Sequence, residues 1–166
     1  FEPDPIHVGV FQENIVNNKS VNITINQKAI SDKPGTMDFI RVLGNTTGSH
    51  LAGAKEDPYG ELETFSVETS DINAVLLNND FVKMDIEGQE ATAILSTKKD
   101  TWANVEMILE VGTEKNAKII FEYLNEINVN MFAQKTGWNK VSDLADVPTS
   151  YKEGSLFLSV ADEMSW

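Results

Sequence analysis

Three carboxylates gathered around one glycine are the residues best suited to chemistry, in the run Phe81-Val82-Lys83-Met84-Asp85-Ile86-Glu87-Gly88-Gln89-Glu90. Phe81 to Met84 reads as a strand, so Asp85 falls at the end of a buried element. A carboxylate there is costly to desolvate unless it has a partner, and a cationic ligand centre or a substrate hydroxyl would supply one. Asp85 is therefore the first candidate for a reacting centre. Gly88 lets backbone come close to a ligand. Glu87 and Glu90 either position a substrate or favour the start of the following helix, and for Glu90 the helix start is the better account.

The chain has two histidines, His7 and His50. His7 falls on a helix and reads as a surface residue, whereas His50 lies in a polar loop from which it could reach a site as a general base. Clustered acids can also hold a divalent cation. No Asp/Asn spacing of the calcium-loop kind occurs, however, and a metal is left unsupported.

The elements that must position these groups follow from the apolar periodicity. Val8, Phe11 and Ile15 recur at helical spacing after Pro3-Asp4-Pro5, with Asn17-Asn18 as a stop, and predict a short helix covering one face of a sheet. Val21, Ile23 and Ile25 alternate with polar residues and predict a strand, with Ala29 to Asp32 as the loop at its end. After the turn Lys33-Pro34-Gly35-Thr36, Met37 to Val42 is expected to pair with Leu62 to Val67 as a hairpin. Between them, Leu43 to Gly60 has no apolar period and is read as a mobile cover over a ligand pocket.

Thr69-Ser70-Asp71 offers caps for a helix bearing Ile72, Val75 and Leu76. Ala91, Ile94 and Leu95 put an apolar stripe on a helix after Gly88. Val105 to Val111 is almost continuously apolar, as in a strand buried on both faces. Ala117, Ile120, Phe121, Leu124 and Ile127 mark the clearest helix. Val129 to Ala133 and Ser155 to Val160 are short strands separated by a polar stretch. Alternating strands and helices predict an α/β fold with a mostly parallel sheet. Ligands in such sheets bind beyond the carboxyl ends of the strands, and Glu2, Ala29 to Asp32, Asp85 to Glu90 and Glu110 all fall at such ends.

Composition limits the classes of partner. With 166 residues and 41% hydrophobic content, the chain is expected to form one domain. Thirteen basic against 26 acidic residues give a formal charge of −13, which repels polyphosphate and argues against nucleic acid or an anionic membrane. The absence of cysteine excludes disulfides, thiolate catalysis and cysteine-based zinc sites. No apolar run approaches the roughly 18 residues that span a bilayer, so the expectation is a cytoplasmic protein.

Three motifs in order, Phe1-Glu2-Pro3-Asp4-Pro5, Ala29-Ile30-Ser31-Asp32 and Lys83-Met84-Asp85-Ile86-Glu87-Gly88-Gln89-Glu90, resemble those of the FkbM family of S-adenosylmethionine-dependent methyltransferases. The resemblance runs from Phe1 to about Val111 and more loosely beyond. It implies a Rossmann-like class I methyltransferase sheet, mostly parallel, with Ser155 to Val160 as the terminal antiparallel strand. It also implies that the chain opens after the family's first strand and glycine-rich loop, as an N-terminally truncated fragment.

The implied cofactor is S-adenosylmethionine. By resemblance Glu2 meets its ribose hydroxyls, an assignment that position alone leaves level with a helix cap or solvated turn acid. Ala29 and Ile30 flank the adenine, Ser31 or Asp32 offers a polar contact to its amino group, and Asp85 lies near its reacting end. Glu110 resembles the acid after the family's next strand, on the substrate side, but the histidine often found two residues later is Gly112 here. The implied partner is a small-molecule hydroxyl acceptor on a sugar, glycolipid or secondary metabolite. The alternative is a non-catalytic remnant or binding module of the same fold, associating as a homo-oligomer through unpaired strand edges.

Overall fold

The computed structural model describes residues 1–18, 22–45, 48–55 and 60–165. It is a mixed α/β fold with two sheets. Helix α1 (Pro5–Asn17) begins at Asp4, whose side chain accepts from the Ile6 N–H, with proline in the first turn where no donor is lost. The first sheet follows, built from β1 (Ala29–Ser31), β2 (Gly35–Val42), β3 (His50–Leu51) and β4 (Leu62–Asp71), in the order β1-β4-β2-β3. Asp71 then caps α2 (Ile72–Leu77) through the Asn73 N–H.

The second sheet contains β5 (Phe81–Met84), β6 (Glu106–Leu109), β7 (Asn130–Ala133), β8 (Asn139–Lys140) and β9 (Leu156–Ser159), in the order β5-β6-β9-β7-β8. Helix α3 (Glu90–Ser96) follows the acidic turn after β5, and α4 (Glu114–Glu126) links β6 to β7. Ala117, Ile120 and Leu124 of α4 are fully buried, as its 3.6-residue stripe predicts. The main core joins α2, α3, α4 and the second sheet, and Ile30 of β1 belongs to it, which ties the two sheets together. A smaller core of Ala29, Phe39, Leu51 and Val67 lies within the first sheet.

Several expectations need correction. The sheets are mixed: β1–β4 and β5–β6 are parallel, while β2–β3, β2–β4, β6–β9, β7–β8 and β7–β9 are antiparallel. Parallel pairing needs a crossover of a dozen or more residues, usually helical. No helix lies between β2 and β4 among the described residues, and that pair closes antiparallel as the expected hairpin, while β9 enters between β6 and β7 in the opposite sense. Terminal β9 is antiparallel to both its neighbours, as expected.

The strand predicted around Ile23 and Ile25 does not form among the described residues, Val21 lying outside them, and Ile23 is 49% exposed. The strand starts instead at Ala29, inside the stretch read as a loop, because residues 29–31 are the ones that meet 69–71 of β4. Alternation is a local signal, and a strand also needs a partner in register. Helix α1 covers less than expected: Val8 alone is buried, and Ile6, Val10, Phe11 and Val16 are exposed. Within the stretch read as a cover, where residues 46–47 and 56–59 lie outside the description, His50 and Leu51 are buried and form β3 against Phe39 and Ile40. No helix among the described residues is long and apolar enough to cross a membrane.

Candidate functional site

Two turns frame the site. The opening turn is held by Asp4, which is fully buried and receives two hydrogen bonds from Arg41 of β2, from Nε at 2.7 Å and from Nη2 at 2.6 Å. Burial opposes charge on Asp4, but the Arg41 hydrogen bonds and the Ile6 N–H outweigh it and hold the carboxyl below its ordinary range. Arg41, the chain's single arginine, has its guanidinium raised in turn, chiefly by the Asp4 hydrogen bond. It also contacts Glu63 and lies 4.6 Å from the centre of the Phe65 ring. With Asp4 pinned, Glu2 is set beside it: its Oε1 accepts from the Asp4 N–H at 2.8 Å and lies 3.6 Å from His7 Nδ1.

The acidic turn is built by Glu90. This side chain is buried and accepts from the N–H groups of Ile86 and Gly88 and from Asn116 Nδ2 of α4. These N–H groups belong to the turn just before the N-cap Gln89, and Glu90 is itself the first residue of α3, so its side chain folds back to hold the turn at the helix start. Burial is the main influence on its carboxyl and pushes it above the ordinary range, with the nearby Asp85 charge adding to the effect and the N–H donors opposing it.

Between these anchored points Glu87 takes a left-handed backbone, φ 56°, uncommon for a residue with a side chain. Gly88 follows at φ 105°, and a Cβ on it would stand 2.9 Å from the Ala54 carbonyl oxygen. The approach inferred for Gly88 is thus made by the chain's own backbone. Lys55 next door reaches Glu87 Oε2 at 2.7 Å. The segment after β3 is thereby fastened onto the turn after β5.

Glu2, Ala29, Ile30, His50, Asp85 and Glu87 line one cavity of about 220 Å³. They come from the opening turn, β1, β3 and the acidic turn. Ser31 and Asp32, whose carboxylate accepts from the Ser31 hydroxyl at 3.0 Å, stand outside that lining, as do Gly88, Glu90 and Glu110. Glu110 nevertheless lies within electrostatic reach of the turn, since its carboxyl is raised first by burial and then by the charge of Asp85. Asp85 itself is exposed, so the burial expected of it at the end of β5 is not found, since only Met84 of that strand is buried. Its carboxylate accepts from Lys83 Nζ at 3.2 Å.

A family model, the Methyltransferase FkbM domain, matches residues 1–141. The chain belongs to the FkbM methyltransferase family. No curated protein and no solved structure matches it.

In this FkbM domain the cavity offers distinct kinds of recognition. Glu2 Oε2 and Asp85 can accept hydrogen bonds or face a cation, Ala29, Ile30, Phe39 and Leu51 give apolar wall, and His50 presents an imidazole. Sequence reasoning missed Lys28, Phe39, Ser49 and Leu51 as lining residues and read His7, which also lines the cavity, as a surface residue. For His7 a signal existed: it stands in the first turn of α1, close in sequence to Glu2. For Ser49 to Leu51 none did, because two residues are too few to show a period.

Proposed function

We propose that the chain is an S-adenosylmethionine-dependent methyltransferase that methylates a hydroxyl on a sugar, glycolipid or secondary metabolite. The observation that carries this reading is the convergence of Glu2, Ala29, Ile30, His50 and Asp85, remote in sequence, on one cavity. Their chemistry suits a ligand with vicinal hydroxyls, a flat base and a cationic centre.

S-adenosylmethionine, when bound, supplies a methyl group on a sulfonium already activated for displacement. The chain's part is then to hold and align. Glu2 Oε2 takes the ribose hydroxyls, its Oε1 being fixed by the Asp4 N–H. Ala29 and Ile30 flank the base. Asp85 orients the acceptor hydroxyl and takes its proton, while Glu87 and Glu110, on the same side, keep the acceptor end electronegative. Alignment of two reactants supplies roughly 7 to 11 kcal/mol of a barrier, and a general base on the order of 100- to 10,000-fold. A small neutral or cationic acceptor in the cytoplasm is consistent with the formal charge of −13.

Thermal unfolding with and without S-adenosylhomocysteine tests this. Saturation to about 100 times Kd is worth about 2.7 kcal/mol of protection. A melting curve indifferent to millimolar S-adenosylhomocysteine would refute the proposal.

A further inference from the structure

The cavity is small for its proposed contents. Its volume of about 220 Å³ falls short of the roughly 300 to 1,000 Å³ of sites that enclose a small molecule, so a wall must move for a nucleoside-sized ligand to enter. The strength of each fastening decides which one. The opening turn is pinned by the buried Asp4–Arg41 pair, β1 lies along β4, and the acidic turn is held by the buried Glu90. Ser49, His50 and Leu51 are buried, and β3 is paired with Phe39 and Ile40 of β2. What joins the β3 wall to the wall of Asp85, Ile86 and Glu87 is weaker.

The joint is the stretch of chain just past Leu51. Ala52 N–H donates to the Asp38 carbonyl at 2.8 Å, Gly53 turns at φ 86°, and Ala54 N–H donates back to the Leu51 carbonyl at 3.1 Å. Its hold on the acidic turn is the close approach of Ala54 to Gly88 and the Lys55–Glu87 pair at 2.7 Å. Glu87 lines the cavity and Lys55 does not. The two side chains are 35% and 38% exposed. An ion pair so open to water favours the joined state by about 5-fold at most, which is ~1 kcal/mol. Such a pair breaks and re-forms while the buried fastenings around it stay in place.

We propose that the Lys55–Glu87 pair is a clasp on the cavity. It opens to let a ligand pass between β3 and the acidic turn and closes behind it, which makes Lys55 a positioning residue that acts through Glu87. The proposal rests on the S-adenosylmethionine reading and deepens it by naming the way in and out. Opening returns both charges to water and frees the Glu87 side chain to leave the cavity. Closing sets Glu87 back in the wall with its charge balanced by Lys55.

The test is the rate at which S-adenosylhomocysteine exchanges on the protein, followed by surface plasmon resonance. Removing a 5-fold preference for the closed state raises the open fraction from about one in six to about one in two. Lys55→Met is therefore expected to raise the association and dissociation rates together, by about 3-fold each, with Kd changed less than either and the urea midpoint almost unmoved. Lys55→Arg keeps the pair and should exchange like the unaltered protein. S-adenosylhomocysteine has no net charge at neutral pH, so added salt acts on the clasp rather than on steering. Salt should quicken exchange in the unaltered protein and leave Lys55→Met unchanged. Unaltered rates in Lys55→Met, a rise in dissociation alone, or exchange indifferent to salt in the unaltered protein overturns the proposal while leaving the methyltransferase reading intact. Failure of the unaltered protein to bind S-adenosylhomocysteine removes both together.

Discussion

The opening turn and the acidic turn solve the same problem with opposite electrostatics. Each contains one buried acid that builds the backbone and leaves its neighbours to face the cavity: Asp4 fixes Glu2, and Glu90 fixes Asp85 and Glu87. Asp4 meets a cation in Arg41 and is held ionised. Glu90 meets N–H donors and an amide but no cation, so burial raises it. Two carboxylates with one structural task therefore respond to acid in contrary ways, and the pairing, not the residue type, decides which.

The sharpest way to break the comparison is to remove the acid from the opening turn. Asp4→Ala leaves Arg41 buried against no counter-charge except Glu63 and is expected to cost about 3 to 5 kcal/mol, read as a fall in the urea midpoint. Its pH signature is a second check. Because the folded pKa of Asp4 lies below the unfolded value of about 3.9, its contribution is complete above that pH and is lost as pH falls through the folded value. The acid limb of stability should flatten in the variant, and an unchanged limb would mean that the Arg41 pairing carries no such weight.

On the cavity side of the acidic turn, Asp85→Asn keeps shape and removes charge. Turnover is expected to fall by 100-fold or more with little change in the urea midpoint, which separates the acids that face the cavity from those that build the frame. Near-normal methyl transfer would end the role given to Asp85.

Glu90→Gln should be milder than Asp4→Ala, at about 1 to 3 kcal/mol, since an amide supplies one acceptor where the carboxylate supplies two. The sign of its pH effect is reversed. With a folded pKa above the unfolded value of about 4.3, ionising Glu90 lowers stability as pH rises from that value through the folded one. That descent should disappear in the variant. The smallest effect belongs to Lys55→Met, which cuts a half-exposed pair with Glu87 and should change stability by about 0 to 1 kcal/mol.

The readable parts of this molecule are those whose causes are local. Helix α4, the Asp71 cap of α2, the β5 turn and the role of Glu90 follow from residues within a few positions of one another. The Asp4–Arg41 pair was not legible, since 37 residues separate the partners and nothing near either names the other; a lone arginine in a strand among 26 acids was the only hint. His50 was read as a base reaching in from a loop for a related reason. Its burial is imposed by β2 on a two-residue strand, and so depends on pairing, which periodicity does not encode. The identity of the cavity residues Glu2, Ala29, Ile30 and Asp85 was legible through motif order, whereas their meeting in space needed the fold.

The short strand β1 has an implication for biosynthesis. Its one strand partner among the described residues is β4, with residues 29–31 registered on 69–71. At ordinary elongation rates of about 5 to 20 residues per second, the later segment is made about 2 to 8 s after the earlier one. During that interval Ala29 and Ile30, a wall of the cavity, have no edge to join and expose apolar surface to the cell. The cavity is thus closed from its downstream side, and a pause in translation between the two segments would prolong the time in which this wall can be bound by a chaperone.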